Sequence, residues 1–457
     1  MSKLRLAALP RPLGLALAGL AALVLVQQQV LLRRPPRLRS VAVQPLRSGA
    51  AALDVRFSRP MQPGSVPASS RLSPDLSHRW FGENDAWRLL LDQPDLSAFP
   101  IQLELAGQDL RGLALPSRRL FWDPRPTLVA VVQMENGQQQ LQLLERDGSW
   151  LPLTPTLPSI FQIEPLGNGQ GVAFVATDDQ GDQFVAMRHL TPRSLGLQRS
   201  EVAIPELGRM EALTGRGQLF GHVSSNLNGD LLVQAGRMEP GSDQLWLRRS
   251  AGERRDLEIQ RSGPIRLLPD GTGLVVPDYD GLSLQGIDGS TQDAERTQTL
   301  PGRRDLRAFC TGSGRALLVR HWPDYRRSVE LVIPGLSPRQ IWLGDAAVMA
   351  VACDNGGERL WVVLRDGEGE LQDTVLQLDR DGQVQKRQSL KPWRLARNSG
   401  LHFDPVSDQL LLTVSRSHRA PQRLAWLPAQ SLTLRVDRSR FVTQAAWLPA
   451  AGRIDRF

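Results

Sequence analysis

The sequence predicts an all-β protein in three parts: an N-terminal transmembrane helix, a small β-sandwich, and a seven-bladed β-propeller. The corresponding segments are 1–40, 41–117 and 118–457. Three observations carry this expectation: a charged, apolar, charged pattern in the first forty residues, short strands of period two after it, and an internal repeat over the remainder. A chain of 457 residues is too long for one hydrophobic core, and 41% hydrophobic with 22% charged residues excludes disorder as the main state.

In the first segment Lys3, Arg5 and Arg11 precede an apolar run from Leu13 to Val26. Gln27, Gln28 and Gln29 interrupt it, and Arg33, Arg34, Arg37 and Arg39 follow Leu32. Residues 13–32 have about the length that crosses a 30 Å hydrocarbon layer as a helix, so the bilayer is an expected partner. The alternatives are a cleaved signal peptide, whose apolar region the uninterrupted run also fits, and a merely buried helix. Positive charge is nearly balanced across the span, so topology has to be read from the domains that follow.

Between 41 and 117 the strands alternate. Leu53-Asp54-Val55-Arg56-Phe57 and Ile101-Gln102-Leu103-Glu104-Leu105 each place every second side chain on one face, as a two-sheet sandwich requires. Val55-Arg56-Phe57-Ser58-Arg59-Pro60-Met61, then Ser65-Val66, Leu72-Ser73-Pro74, Trp80 and Asp109-Leu110-Arg111-Gly112 resemble the bacterial Ig-like domain of the S-layer (SbsA) type. Gln62 departs from the acidic residue common there, and the aromatic before the last strand is missing. The resemblance implies an extracytoplasmic spacer or adhesion module, and with it an anchor whose N-terminus is inside.

From 118 onward a Gly, Asn, Asp or Pro turn leads directly into a hydrophobic strand, again and again. The strands begin at 128, 172, 231, 274, 316, 360 and 410, spaced 42 to 59 residues apart. About 45 residues is the length of a four-stranded propeller blade, and a blade buries its faces only by stacking on its neighbours. Asp147-Gly148 and Asp381-Gly382 supply the positive φ of tight turns into outermost strands. The long second gap implies an insertion between about Met187 and Asn226, placed on a face loop, and Phe441–Pro449 supplies a strand that either joins the first blade or begins a partial eighth. The unit resembles the WD40-like propeller repeats of the TolB type, with Leu268-Pro269-Asp270-Gly271 nearest to that family's Pro-Asp-Gly signature.

Chemistry is sparse. Six histidines at 78, 189, 222, 321, 402 and 418 show no zinc-site spacing, and no nucleophile elbow, metalloprotease motif or phosphate loop is present. Gly167-x-Gly169-x-Gly171 falls at a repeat turn, and Asp178-Asp179-Gln180-Gly181-Asp182 lacks the terminal glutamate of a calcium loop. No catalytic, cofactor or metal residue is therefore assigned. Cys310 and Cys353 occupy equivalent places in adjacent repeats; buried free thiols are the favoured reading, and a disulfide is the alternative should their Cα atoms fall within about 7 Å.

The formal charge of +8 invites a nucleic-acid reading, but eight cations lie before the first acid, Asp54, so residues 54–457 are neutral. Nucleic acid is excluded as an expected partner. What remains is the expectation of a single-pass inner-membrane protein, or a secreted one after cleavage, that presents its propeller outside the cytoplasm to a protein or cell-envelope partner. The rivals are a glycan-acting hydrolase or lyase at the channel mouth, supported only by Asp270, Asp278 and Asp280, and a purely structural envelope spacer.

Overall fold

The computed structural model describes residues 11–44, 52–91, 99–239, 241–259, 263–287, 298–367 and 371–455; the basic tip 1–10 lies outside them. A helix runs over Arg11–Arg33. Its uninterrupted apolar stretch, Leu13 to Val26, is only about 21 Å long at 1.5 Å per residue, short of a 30 Å hydrocarbon layer, because three glutamines follow it. Among the described residues no helix is long and apolar enough to cross a membrane, which corrects the expected span at 13–32.

The sandwich consists of two antiparallel sheets. One orders Gly452–Ile454, Leu38–Gln44, Ala52–Phe57, Ala86–Leu91 and His78–Glu83; the other orders Leu195–Gly196, Arg118–Trp122, Ile101–Leu105 and Arg71–Ser73. Phe57, Met61, Leu89, Leu103, Leu120 and Trp122 fill the space between them. Ile101, Leu103 and Leu105 point inward while Glu104 between them is exposed, so the period of two does decide the buried face. Asp109 is buried and accepts backbone N–H bonds from Arg111 (2.9 Å) and Leu113 (3.0 Å), with Gly112 at φ 76°, so the Asp-x-x-Gly motif acts as a self-capped turn.

The boundary expected at 117/118 shifts. Arg118–Trp122 belongs to the sandwich, and two later strands return to it: Leu195 pairs with Trp122, and Ile454 pairs with Val41. The insertion in the second repeat is thus a strand given to the sandwich. These additions cover sheet edges that would otherwise be left unpaired.

Seven antiparallel sheets follow: sheet 1 (127–152 with Val442–Leu448), sheet 2 (159–212), sheet 3 (220–256), sheet 4 (266–301), sheet 5 (304–344), sheet 6 (347–389) and sheet 7 (394–436). Val442–Leu448 pairs with Thr127–Gln133, from Val442 opposite Val132 to Leu448 opposite Thr127. The turns between first and second strands end on left-handed glycines at Gly169, Gly229, Gly271, Gly314 and Gly357, with φ from 68° to 80°; in sheet 7 Asp408 takes that place at φ 50°. The second strands are buried on both faces except in sheet 4, where Val275 and Pro277 are half-buried. In Thr127–Gln133, Val129 and Val131 join the apolar cluster shared with sheet 2, while Leu128, Ala130 and Val132 join the one shared with sheet 7.

Clusters of this kind bridge sheets 2 and 3, 3 and 4, 5 and 6, and 6 and 7. Among the described residues none bridges sheets 4 and 5, where a cleft of about 540 Å³ lies instead. The expected fold class is corrected accordingly: the protein is an all-β array of small sheets without a membrane-crossing helix, and a closed ring of seven blades, which needs a core continuous from blade to blade, is not shown.

Candidate functional site

Strands from sheets 1, 2, 4, 5, 6 and 7 converge on a cavity of about 570 Å³ along the axis of the array. Five of its side chains bear charge or can titrate: Glu164, Arg266, Arg307, His402 and Asp404. Glu164 Oε1 accepts the Ser225 backbone N–H at 2.8 Å, and Arg266 Nη1 stands 3.9 Å from its Oε2. Burial raises the Glu164 pKa, opposed by Arg266 and the Ser225 amide. Burial, reinforced by Arg266, pushes His402 down to about 4, so this imidazole is neutral at physiological pH.

Asp404 is also raised by burial, yet its oxygens are engaged in its own turn: Oδ1 accepts Val406 N–H at 2.9 Å, and Oδ2 accepts Ser407 N–H at 3.0 Å and the Ser407 hydroxyl. That is helix-cap-like turn chemistry, and it leaves Glu164 as the carboxylate with an oxygen facing the cavity through a long contact only.

The three turn aspartates expected to support an enzyme are not brought together. Asp270 lines the cleft between sheets 4 and 5, and its Oδ1 accepts Thr272 N–H at 3.1 Å and Thr272 Oγ1–H at 2.8 Å. Asp278 lies at a separate cavity of about 530 Å³ beside that cleft, where its Oδ1 accepts the Tyr279 amide. Asp280 lends its backbone carbonyl to Gly302. None of the three lines the axial cavity.

Cys310 and Cys353 lie at the ends of the first strands of sheets 5 and 6. Their Cα atoms are 5.5 Å apart and their sulfurs are bonded, in place of the favoured free thiols. The histidines divide between surface and cavity: His189 Nε2 pairs with Glu211 at 2.6 Å and His321 Nε2 with Asp305 at 2.9 Å, whereas His222 and His402 line cavities. Among the described residues no group of three or more His, Cys, Asp or Glu is placed to hold a metal ion. Arg266, His402 and Glu164 escaped the sequence reading because each comes from a different sheet, and only the repeat register, which puts them all near first strands, could have grouped them.

No family model and no curated protein matches the chain. Solved structures similar to it include the Pseudomonas aeruginosa periplasmic gluconolactonase PpgL, at 17% identity over 71% of this chain and 99% of that one with a TM-score of 0.48. Others are TolB from Acinetobacter baumannii, at 11% identity over 78% and 81% with a TM-score of 0.41, and the BP39L lectin from Burkholderia pseudomallei, at 15% over 70% and 96% with a TM-score of 0.45. All three scores fall below 0.5, so the functional reading has to come from the chain's own residues.

Proposed function

We propose that this chain is an extracytoplasmic, noncovalent binding protein that receives part of a protein or cell-envelope partner in its axial cavity. The observation that carries the reading is the convergence of strands from six sheets on one cavity whose charged groups are already held by turn amides and by each other, an arrangement suited to fixed recognition. The Cys310–Cys353 bond supports an oxidising compartment. The sandwich serves in this reading as the spacer that its S-layer-type motif residues suggest.

The test uses full-length protein as bait in envelope extract, beside a Pro405→Trp variant that narrows the cavity from an exposed position on its lining. A partner retained by the unaltered protein and lost by the variant supports the proposal. Equal capture by both, or no specific capture, counts against it.

A second reading, a glycan-acting hydrolase, is favoured by one observation: Glu164 and Asp404 are two carboxyls of raised pKa in the same cavity. Glycoside hydrolysis needs both carboxyls free to meet substrate, and Asp404 is committed to Val406 and Ser407. Glycan turnover by the unaltered protein that disappears in Glu164→Gln would establish the enzyme, and equal background rates would dismiss it.

A further inference from the structure

We infer that the open joint between sheets 4 and 5 binds an anionic amphiphile, its head against Arg303, Arg304 and Arg307 and its linear apolar tail between the two sheets. This site adjoins the axial cavity, with Arg266, Arg307, Phe309 and Thr311 common to the linings, and does not depend on the function proposed for that cavity.

The joint holds two adjoining spaces of different chemistry. A cavity of about 530 Å³ and the cleft of about 540 Å³ share Val275, Leu282 and Leu306 in their linings. At the first end stand Arg266, Arg303, Arg304 and Arg307. The facing acids are Asp278, exposed and capping Tyr279, and Asp305, which already pairs with Arg307 at 3.0 Å and with His321 at 2.9 Å. Glu330 lies behind Arg304, accepting its Nε at 2.7 Å and lying 3.7 Å from Arg320. The local balance remains positive, which a single anionic head would neutralise.

Two buried polar atoms at this end have no hydrogen-bond partner. Arg304 is only 8% exposed, and its Nη1 is unpaired even though Nε and Nη2 reach Glu330. His222 Nε2, on the opposite wall, is unpaired too. Buried donors and acceptors in native proteins are almost always satisfied, so two orphans lining one cavity mark a place where a ligand's polar group belongs. Burial, aided by Arg266, pushes His222 down to about 3 and keeps it uncharged there.

The other end is apolar. Leu284, Phe309, Ala316 and Leu318 line it, and Leu336 stands at its margin with 60% of its surface exposed. These side chains sit where neighbouring joints carry an interlocked core, and a tail of methylenes would supply the missing contacts. The arginines fix the head at one end and the apolar walls require the rest of the ligand to be greasy, so a small hydrophilic anion or a neutral lipid satisfies only half of the site.

Calorimetric titration of the full chain with decanoate and with decyl phosphate, below their micellar ranges, tests the inference. Decanol, acetate and inorganic phosphate serve as half-ligands. Saturable binding at one site is expected for at least one of the two amphiphiles, about tenfold or more tighter than for any half-ligand; whichever head binds more tightly then distinguishes a carboxylate from a phosphate ligand. Arg303→Ala and Leu336→Glu, both at exposed positions, should each weaken binding about fivefold or more with unchanged thermal midpoints, and Pro405→Trp should leave it untouched. Absence of saturable binding, equal binding of decanol or of the tail-free anions, or undiminished binding by both variants would overturn it.

Discussion

Two joints of the array are built from the same kind of sheet and end in opposite states. Between sheets 5 and 6, Leu317, Val319 and Leu331 pack against Leu360, Val362 and Leu378, all buried, and the Cys310–Cys353 bond ties the first strands together. Gly312 N–H donates to Asn355 O at 2.8 Å, and Arg315 donates to Gly356 O and Gly357 O across the same joint. Between sheets 4 and 5 the facing Val275, Leu284 and Leu306 are only half-buried and border a cleft. The first strand of sheet 4 has two residues, Arg266–Leu267, against seven each in sheets 5 and 6. Its buried side chain, Leu267, goes into the core shared with sheet 3, and sheet 7 closes on sheet 6 with an equally short strand, Arg394–Leu395, so length alone does not open a joint. The repeat therefore specifies a sheet, while the closure between sheets is set by the side chains of the facing strands.

The largest effect expected from breaking this contrast comes from the disulfide. It closes a loop of 43 residues, which in the chain-entropy account is worth about 4 kcal/mol through the unfolded state. Cys310→Ser with Cys353→Ser, or reductant alone, should lower the urea midpoint by a corresponding amount, and thiol titration of the unfolded protein should find no thiol without reductant and two with it. Two thiols without reductant, or an unmoved midpoint, would show that the closed joint does not depend on the bond.

A matched pair of truncations sharpens the contrast. Leu331→Ala removes a fully buried side chain from the core shared by sheets 5 and 6 and is expected to cost about 2 to 4 kcal/mol in transfer and cavity terms. Leu284→Ala removes the same atoms from the wall of the cleft, where the space already exists, and should cost under about 1 kcal/mol. Equal losses would mean that the cleft is as well packed as the closed joint.

How much of this was legible beforehand follows from what a single sequence encodes. Period two over Ile101–Leu105, the glycine turns at Gly271 and Gly314, and the strand at Val442–Leu448 come from local pattern, which is what turn and strand chemistry read, whereas its pairing with the first sheet stayed open against a partial eighth. Gln27 to Gln29 were visible as well, and the expected span of 20 residues counted across them although the uninterrupted apolar run stops after 14. The strands Leu195–Gly196 and Gly452–Ile454 were not legible as parts of the sandwich, because short edge strands carry no periodicity of their own. The cavities were least legible. Glu164, Arg266 and His402 are separated by more than a hundred residues from one to the next, and neither the orphaned Nη1 of Arg304 nor the weak joint beside it has a signature in composition or spacing.

The smallest effect expected separates the open joint from the closed one by pH. His222, on the wall of the open joint, has its pKa depressed to about 3 from an unfolded value near 6.5. Between those two values the unfolded chain binds the proton and the folded one does not, so the stability this neutral imidazole contributes is complete above about pH 6.5 and is lost as pH falls toward 3. Glu164 and Asp404 are raised instead and act with the opposite sign, present at low pH and lost as pH rises through their folded values, so the bare stability profile of the protein mixes both. The difference between the unaltered protein and His222→Gln removes the carboxyls from the comparison. Urea unfolding at steps from pH 7 to pH 4 should show that difference shift by on the order of 1 to 2 kcal/mol in favour of the variant as pH falls, with partial exposure taken into account. The loss in Leu331→Ala, at a joint whose core holds no histidine, should stay constant over the same range. Parallel profiles for His222→Gln and the unaltered protein would mean that water reaches the imidazole through the cleft and that the wall of the open joint is solvated.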